Sequence, residues 1–355
     1  MPPSNNRPLM PSPFRVTHRR RVLDAAESFL HWSGMSAAYA HTRRLNGAQI
    51  LMYHSVPGQE SARWIDPKYT MLPEMFRAQM RFLARRRCVV SMRELVEACN
   101  AGRNLPRGSV VITFDDGYRD HGLTAAPILD DYGLPATFFL PTAYVDSGEP
   151  QWIDRLYTAL KFRSQGELDL VDWGLSRWDL NCQAGLDRAH SEITDNLLVV
   201  GWQKRLDLLG ELERQLRPVE ASSRTTLNWD EVRQLAANPR FEIGGHTRNH
   251  IDLSTCSNGE SSAEVRGCME DIRRQIGRDV IHFSYPYGRC ASPARDLLAD
   301  AGVESAVIAT PGRPVRKGED LLGLPRFDAG VSPTRFRFMT GGAYPDLPLA
   351  LFGHA

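Results

Sequence analysis

Two adjacent aspartates, Asp115 and Asp116, close a run of β-prone residues, Val110-Val111-Ile112-Thr113-Phe114. Neighbouring carboxylates at the mouth of a buried strand repel each other unless a cation or a proton relieves them. A metal ion would do so; a solvated turn or a calcium-loop lookalike is the plainer alternative. A second segment, "EIGGHTRNHIDLS" (242–254), carries His246 and His250 four residues apart. That is the spacing of one face of a helical turn, so both imidazoles can reach one ion. An apolar residue and two glycines precede them, which puts them at a strand end like the aspartates. Two histidines and one carboxylate form a common catalytic zinc set that leaves positions open for water. A third segment, "FSYPYGR" (283–289), ends a strand in aromatic residues, proline and glycine. Such a loop offers rigid walls and exposed backbone N–H groups, or it is an ordinary turn.

These groups need elements that bring them to one edge. Short apolar runs at 48–56, 110–114, 135–142, 241–246, 280–286, 303–310 and 323–328 read as buried strands, with "CVVS" as a further short one. Helical patterns lie between them, at 73–86, in "RELVEACNAG", in "AAPILDDYG", and at 262–277 and 293–302. Strands alternating with helices predict a parallel α/β sheet or barrel. The polar groups cluster at the C-terminal ends of the strands, the face on which barrel active sites sit. Residues 150–227 break the rhythm: "WIDRLYTALKFR" and "NLLVVGWQKRLDLLGELERQL" read as amphipathic helices. This predicts a helical insertion between two barrel strands. On the active-site side it would be a lid or a docking surface; otherwise it is a packing elaboration.

Taken together, the three segments resemble the polysaccharide deacetylase (NodB-like) family of carbohydrate esterases. T-F-D-D-G stands at Thr113 to Gly117, H-T-x-x-H at His246 to His250, and Y-P-Y-G at Tyr285 to Gly288. The resemblance spans roughly residues 45 to 330. It implies a distorted, TIM-like (β/α)7 barrel and a divalent metal, zinc first, with cobalt or nickel as alternatives. It also implies Asp115 as general base and Asp116, His246 and His250 as metal ligands. The backbone N–H of Tyr287 would face the oxyanion, with Tyr118 and Pro286 beside the substrate. Two features depart from the family pattern. Serine 284 stands near where an arginine usually holds the base, and Arg326 in "LPRFD" is expected to reach in instead. The usual C-terminal Leu-x-His acid is absent. His354 is the penultimate residue, so His54 in "LMYHSV" is the better general acid, unless it only hydrogen-bonds its loop. Trp229 could line the cleft or the core, and His282 reads as a core histidine.

The implied activity is N-deacetylation of an amino sugar in a cell-surface polysaccharide or lipid-linked saccharide. A deformylase or other linear amide hydrolase is the alternative, or an inactive glycan-binding barrel. Too few acidic or histidine residues lie at the strand ends for a two-metal phosphodiesterase.

Bulk properties agree with an enzyme of this kind. The chain has 355 residues, 42% hydrophobic content and a net charge of +1. It can bury a large core, and its charge makes no case for nucleic acid. The six cysteines, at 88, 99, 182, 256, 268 and 290, form no C-x-x-C pair and read as reduced. Residues 1–13, rich in Pro, Ser and Asn, read as disordered. The following segment loosely imitates a signal peptide, but Asp24, Glu27 and His31 interrupt its apolar core. Val22, Ala25, Ala26, Phe29 and Leu30 instead recur at helical spacing behind Arg19, Arg20 and Arg21. This basic amphipathic helix packs on the domain's flank or lies on an anionic membrane surface. The expected divisions are a tail and helix at 1–47, a barrel at 48–335 and a C-terminal tail at 336–355. The expected location is the cytoplasm, with docking at the inner membrane face left open and secretion disfavoured. The oligomeric state is not legible.

Overall fold

The computed structural model describes residues 47–341 apart from 222, 291, 310 and 311, together with residues 29, 33–35 and 38. Apart from Phe29, the helix expected at residues 22–30 lies outside the described residues, as does His354. Among the described residues no helix is long and apolar enough to cross a membrane.

Ten strands form: β1 (Ala48–Tyr53), β2 (Cys88–Val89), β3 (Ser109–Phe114), β4 (Ala136–Leu140), β5 (Glu167–Asp169), β6 (Arg177–Asp179), β7 (Phe241–Gly245), β8 (His282–Ser284), β9 (Ser305–Ile308) and β10 (Leu324–Asp328). Seven of them close a parallel barrel in the order β1-β10-β9-β8-β7-β4-β3, with β3 pairing back onto β1. The expected distorted (β/α)7 barrel is therefore present. Its distortion has a visible source at β3. Strand β2 pairs with the start of β3, at Ser109 and Val110, while β4 pairs with its end, at Thr113 and Phe114.

The barrel strands are apolar on both faces, as parallel strands covered by helices must be. Alternation decides which residue faces where. Leu51, Val110, Ile112 and Phe114 join the layer between sheet and helices. Ile50, Val111, Phe139, Val307 and Leu324 fill the barrel interior, closed off by Met92, Leu95 and Val96 of helix Met92–Asn100. Continuing the inward series from Val111 through Thr113 reaches Asp115. The same series from Leu324 reaches Arg326, which lies in register with Ile50.

The insertion carries helices Trp152–Lys161, Gln183–Val199 and Trp202–Leu216 around its own apolar core, which includes Leu156, Trp178, Ile193 and Leu212. It also contains an antiparallel hairpin, β5–β6, that the sequence pattern does not announce. Near the C-terminus, helix Pro333–Met339 runs across the expected division at 335 and buries Phe336, Phe338 and Met339.

Candidate active site

Asp115 and Asp116 leave β3 in different directions. Asp115 continues the inward alternation and is buried. Asp116 takes the left-handed conformation, φ 73°, which turns the chain and separates the two carboxylates. Asp115 meets Arg326 in a two-pronged ion pair, Nη1 to Oδ1 at 2.8 Å and Nη2 to Oδ2 at 2.6 Å. Ser284 Oγ donates to Asp115 Oδ2 at 3.2 Å and accepts from Arg326 Nη2 at 3.0 Å. Burial alone would raise the Asp115 pKa. The Arg326 charge and its hydrogen bonds outweigh burial and hold the carboxyl below its ordinary value. The arginine expected from β10 thus lies where the sequence placed it, with Ser284 completing the contact.

Asp116 faces the two histidines. Its Oδ1 lies 3.4 Å from His246 Nε2 and 3.1 Å from His250 Nε2. Among the described residues this is the grouping of three His, Cys or acidic side chains whose atoms converge closely enough to hold a metal. The far side of each ring is fixed. His246 Nδ1 lies 2.6 Å from the carbonyl oxygen of Ser284, which can only accept, so Nδ1 carries the proton. His250 Nδ1 lies 3.2 Å from the Tyr287 hydroxyl. That hydroxyl donates its own proton to the His250 carbonyl at 3.1 Å and accepts from Trp152 Nε1 at 2.9 Å. A remaining lone pair can accept from Nδ1, and that tautomer leaves Nε2 free. Both Nε2 atoms are then left as lone pairs aimed at a carboxylate. Three donors with no proton among them need a cation, and the set fits a divalent metal.

In the metal-free protein the rings are free to take up protons instead. Burial raises the Asp116 pKa, but the two imidazoles overcome it and pull the carboxyl well below its usual range. Burial lowers both histidines. The Asp116 carboxylate reverses this for His246, whose pKa rises, but not for His250, whose pKa falls.

Local sequence explains how the histidines reach this place. A Cβ on Gly244 would sit 2.4 Å from the Phe139 ring and 2.9 Å from the His282 carbonyl. Only glycine lets β7 pass between its neighbours and deliver His246 to the barrel mouth. His250 then adopts φ 51°, so the pair is not on a helix; a left-handed loop brings the rings within 4.8 Å.

His54 follows β1 directly. Because β1 and β3 pair with Tyr53 opposite Phe114, His54 comes level with Asp115. Its charge is among those that lower both aspartates. Its ring packs against Tyr69 at 5.6 Å, and its carbonyl lies 2.8 Å from His121 Nε2. Next to it, Ser55 Oγ and the Val56 N–H both donate to buried Asp120, at 2.6 and 2.9 Å. Tyr287 sits in the turn Pro286–Gly288 with φ 58°, its ring edge-on to His250.

Tyr118 and Pro286 are corrections. Tyr118 has no exposed surface; it packs behind the aspartate loop against His121, with its hydroxyl beside Asp154. Pro286 is buried within its turn. Neither can line a cleft, because neither presents a face to it. Trp229 opens helix Trp229–Ala237, packs partly buried against the main core and donates to Asp146 at 2.5 Å. His282 is a core histidine bonded to Ser305 Oγ at 2.8 Å, as expected. All six cysteines are free.

The insertion supplies contacts that no spacing in the sequence reveals. Gln151 Nε2 donates to the Asp116 carbonyl at 3.1 Å, Trp152 reaches Tyr287, and Arg205 Nη1 donates to the His250 carbonyl at 3.4 Å.

A closed parallel barrel thus carries an arginine-clamped aspartate beside a His-His-Asp cluster at its C-terminal mouth, where barrel enzymes hold their active sites. Sequence comparison supplies a family likeness. The model described as "Polysaccharide deacetylase" matches residues 102–166 and 201–306, and over those residues the chain is similar to that family. The Bacillus subtilis protein YxkH, which carries the polysaccharide deacetylase name, is 32% identical over 106 residues. That match takes in 30% of this chain and 36% of the relative. Among solved structures, the Streptococcus pyogenes deacetylase PplD, in complex with acetate, superposes with a TM-score of 0.56. It is 17% identical, over 83% of this chain and 97% of that one. IcaB from Ammonifex degensii gives 0.54 at 15% identity, over 84% and 97%. These likenesses concern the fold. The family match leaves out residues 167–200 within the insertion, and also Arg326 on β10 and His54 just after β1.

Proposed function

We propose that the protein is a metal-dependent hydrolase that removes the N-acetyl group from an amino sugar of a cell-surface polysaccharide or lipid-linked saccharide. The observation that carries this reading is the division of labour between neighbouring aspartates. Arg326 keeps Asp115 ionised and aimed at the barrel mouth, while Asp116 completes a three-donor metal set.

Asp116, His246 and His250 would hold the metal. When bound, a divalent ion supplies Lewis acidity for water and for the amide carbonyl. The chain's own groups do the rest. Asp115 Oδ takes the proton from the attacking water; its depressed pKa keeps it available as a base at neutral pH. The Tyr287 N–H offers a donor to the developing oxyanion. His54, level with Asp115 across the β1–β3 pair, returns a proton to the leaving amine. Zinc is the first choice for two imidazoles and a carboxylate, and cobalt or nickel would suit the same donors.

The test is one preparation of wild type and of Asp115→Asn, assayed for bound metal and for acetate release from N-acetylated sugars, lipid-linked ones included. The expected result is about one metal per chain in both proteins and acetate from wild type alone. Formate released from an N-formyl sugar, with no acetate, would change the acyl group. No turnover of any amide with metal bound would leave only a binding barrel.

A further inference from the structure

Two of the three metal-donor residues hold left-handed backbones, Asp116 at φ 73° and His250 at φ 51°. Such residues persist only when their surroundings over-determine them. Both are pinned from the same place. Gln151 and Trp152 are consecutive residues at the start of helix Trp152–Lys161. Gln151 holds the Asp116 carbonyl, and Trp152 holds the Tyr287 hydroxyl, which in turn lies 3.2 Å from His250 Nδ1. From helix Trp202–Leu216, Arg205 bonds the His250 carbonyl while its guanidinium lies 5.1 Å from the Trp152 ring centre and 6.0 Å from that of Tyr287. Arg205, Gln151 and Trp152 are all buried. Arg205 is also anchored on the Leu197 carbonyl, inside the stretch outside the family match.

We propose that Gln151, Trp152 and Arg205 are positioning residues through which the insertion sets the affinity of the His-His-Asp centre for its metal. This rests on the metal reading above. The insertion is then neither a detached lid nor filler. It is the outer support that holds two ligands in conformations they would not keep alone.

The test is zinc affinity, measured on full-length protein by competition with a chromophoric chelator, alongside thermal melting of the metal-free forms. Tyr287→Phe removes the acceptor for His250 Nδ1 and should weaken zinc on the order of ten- to a hundredfold. Trp152→Phe keeps the ring and loses the N–H, and should weaken it about three- to tenfold. Because Trp152 acts through the hydroxyl, the double variant should bind no worse than Tyr287→Phe alone. Additive losses would overturn the relay. So would wild-type affinity in both single variants. If Trp152→Phe does not fold, Gln151→Leu, which tests the Asp116 arm, and Tyr287→Phe decide the matter. Failure of wild type itself to bind zinc would strike the metal reading instead, and the two failures are distinguishable.

Discussion

Arg326 grips Asp115 with both of its terminal nitrogens, at 2.8 and 2.6 Å, across a barrel interior where neither residue is exposed. A fork meeting a carboxylate fixes direction as well as charge, which a lysine cannot reproduce. Arg326→Lys should therefore lower kcat/KM by about ten- to a hundredfold while metal content stays at the wild-type level. Arg326 depresses the Asp115 pKa, so its loss must raise that pKa and move the acidic limb of the pH profile upward. A lysine variant with unchanged rate and profile would remove Arg326 from the mechanism.

His54 is expected to act on the leaving group. His54→Gln should reduce amide hydrolysis by about a hundred- to ten-thousandfold and leave bound metal unchanged. An ester with a good leaving group needs little protonation, so its hydrolysis should fall far less. Equal losses on ester and amide would mean that His54 supports the loop through Tyr69 and His121 rather than supplying a proton.

Metal binding should weaken in acid with a definite sign. In the metal-free protein the pKa of His246 is raised by Asp116, so below that pKa the ring carries a proton that the metal must displace. Zinc affinity should be flat above that pKa and fall by about tenfold per pH unit below it. Competition titrations between pH 5.5 and 8 read this directly. Asp116→Asn should shift the fall to lower pH, because it removes the charge that raises His246.

The barrel was legible because its strands carry their signal locally: apolar runs, each ending in a polar or glycine-bearing loop. The Asp/His/His cluster was legible for the same reason, since TFDDG and HTRNH are contiguous. Arg326 and His54 were within reach because each ends or lies in a strand whose neighbours could be guessed. The hairpin β5–β6 was not, since three residues burying one side chain each, Leu168 and Trp178, are too short a run for their alternation to stand out. The geometry of the histidine pair was also hidden. Four-residue spacing suggested a helical turn, whereas His250 is left-handed. Gln151, Trp152 and Arg205 act through contacts tens of residues away, and nothing local marks them. Asp120, four residues beyond Asp116 in the same loop, marks itself only through what it touches.

Asp120 gives a stability prediction with a clear sign. Burial raises its carboxyl to about 6, against hydrogen bonds from Ser55 and the Val56 N–H that favour the ionised form. A raised acid is favoured neutral in the fold. Its contribution to stability is full below about pH 4 and is lost as pH rises through about 6. A rise of about two units corresponds to about 3 kcal/mol. Asparagine can accept from Val56 and donate to Ser55 Oγ without ionising. Asp120→Asn should therefore gain on wild type as pH rises, with urea midpoints close at pH 4.5 and separated at pH 7.5. Comparing the two proteins cancels the other titrating groups. A separation that does not change with pH would show that Asp120 is already ionised in acid. In that case the loop bearing His54 is held by a charge and not by a neutral acid.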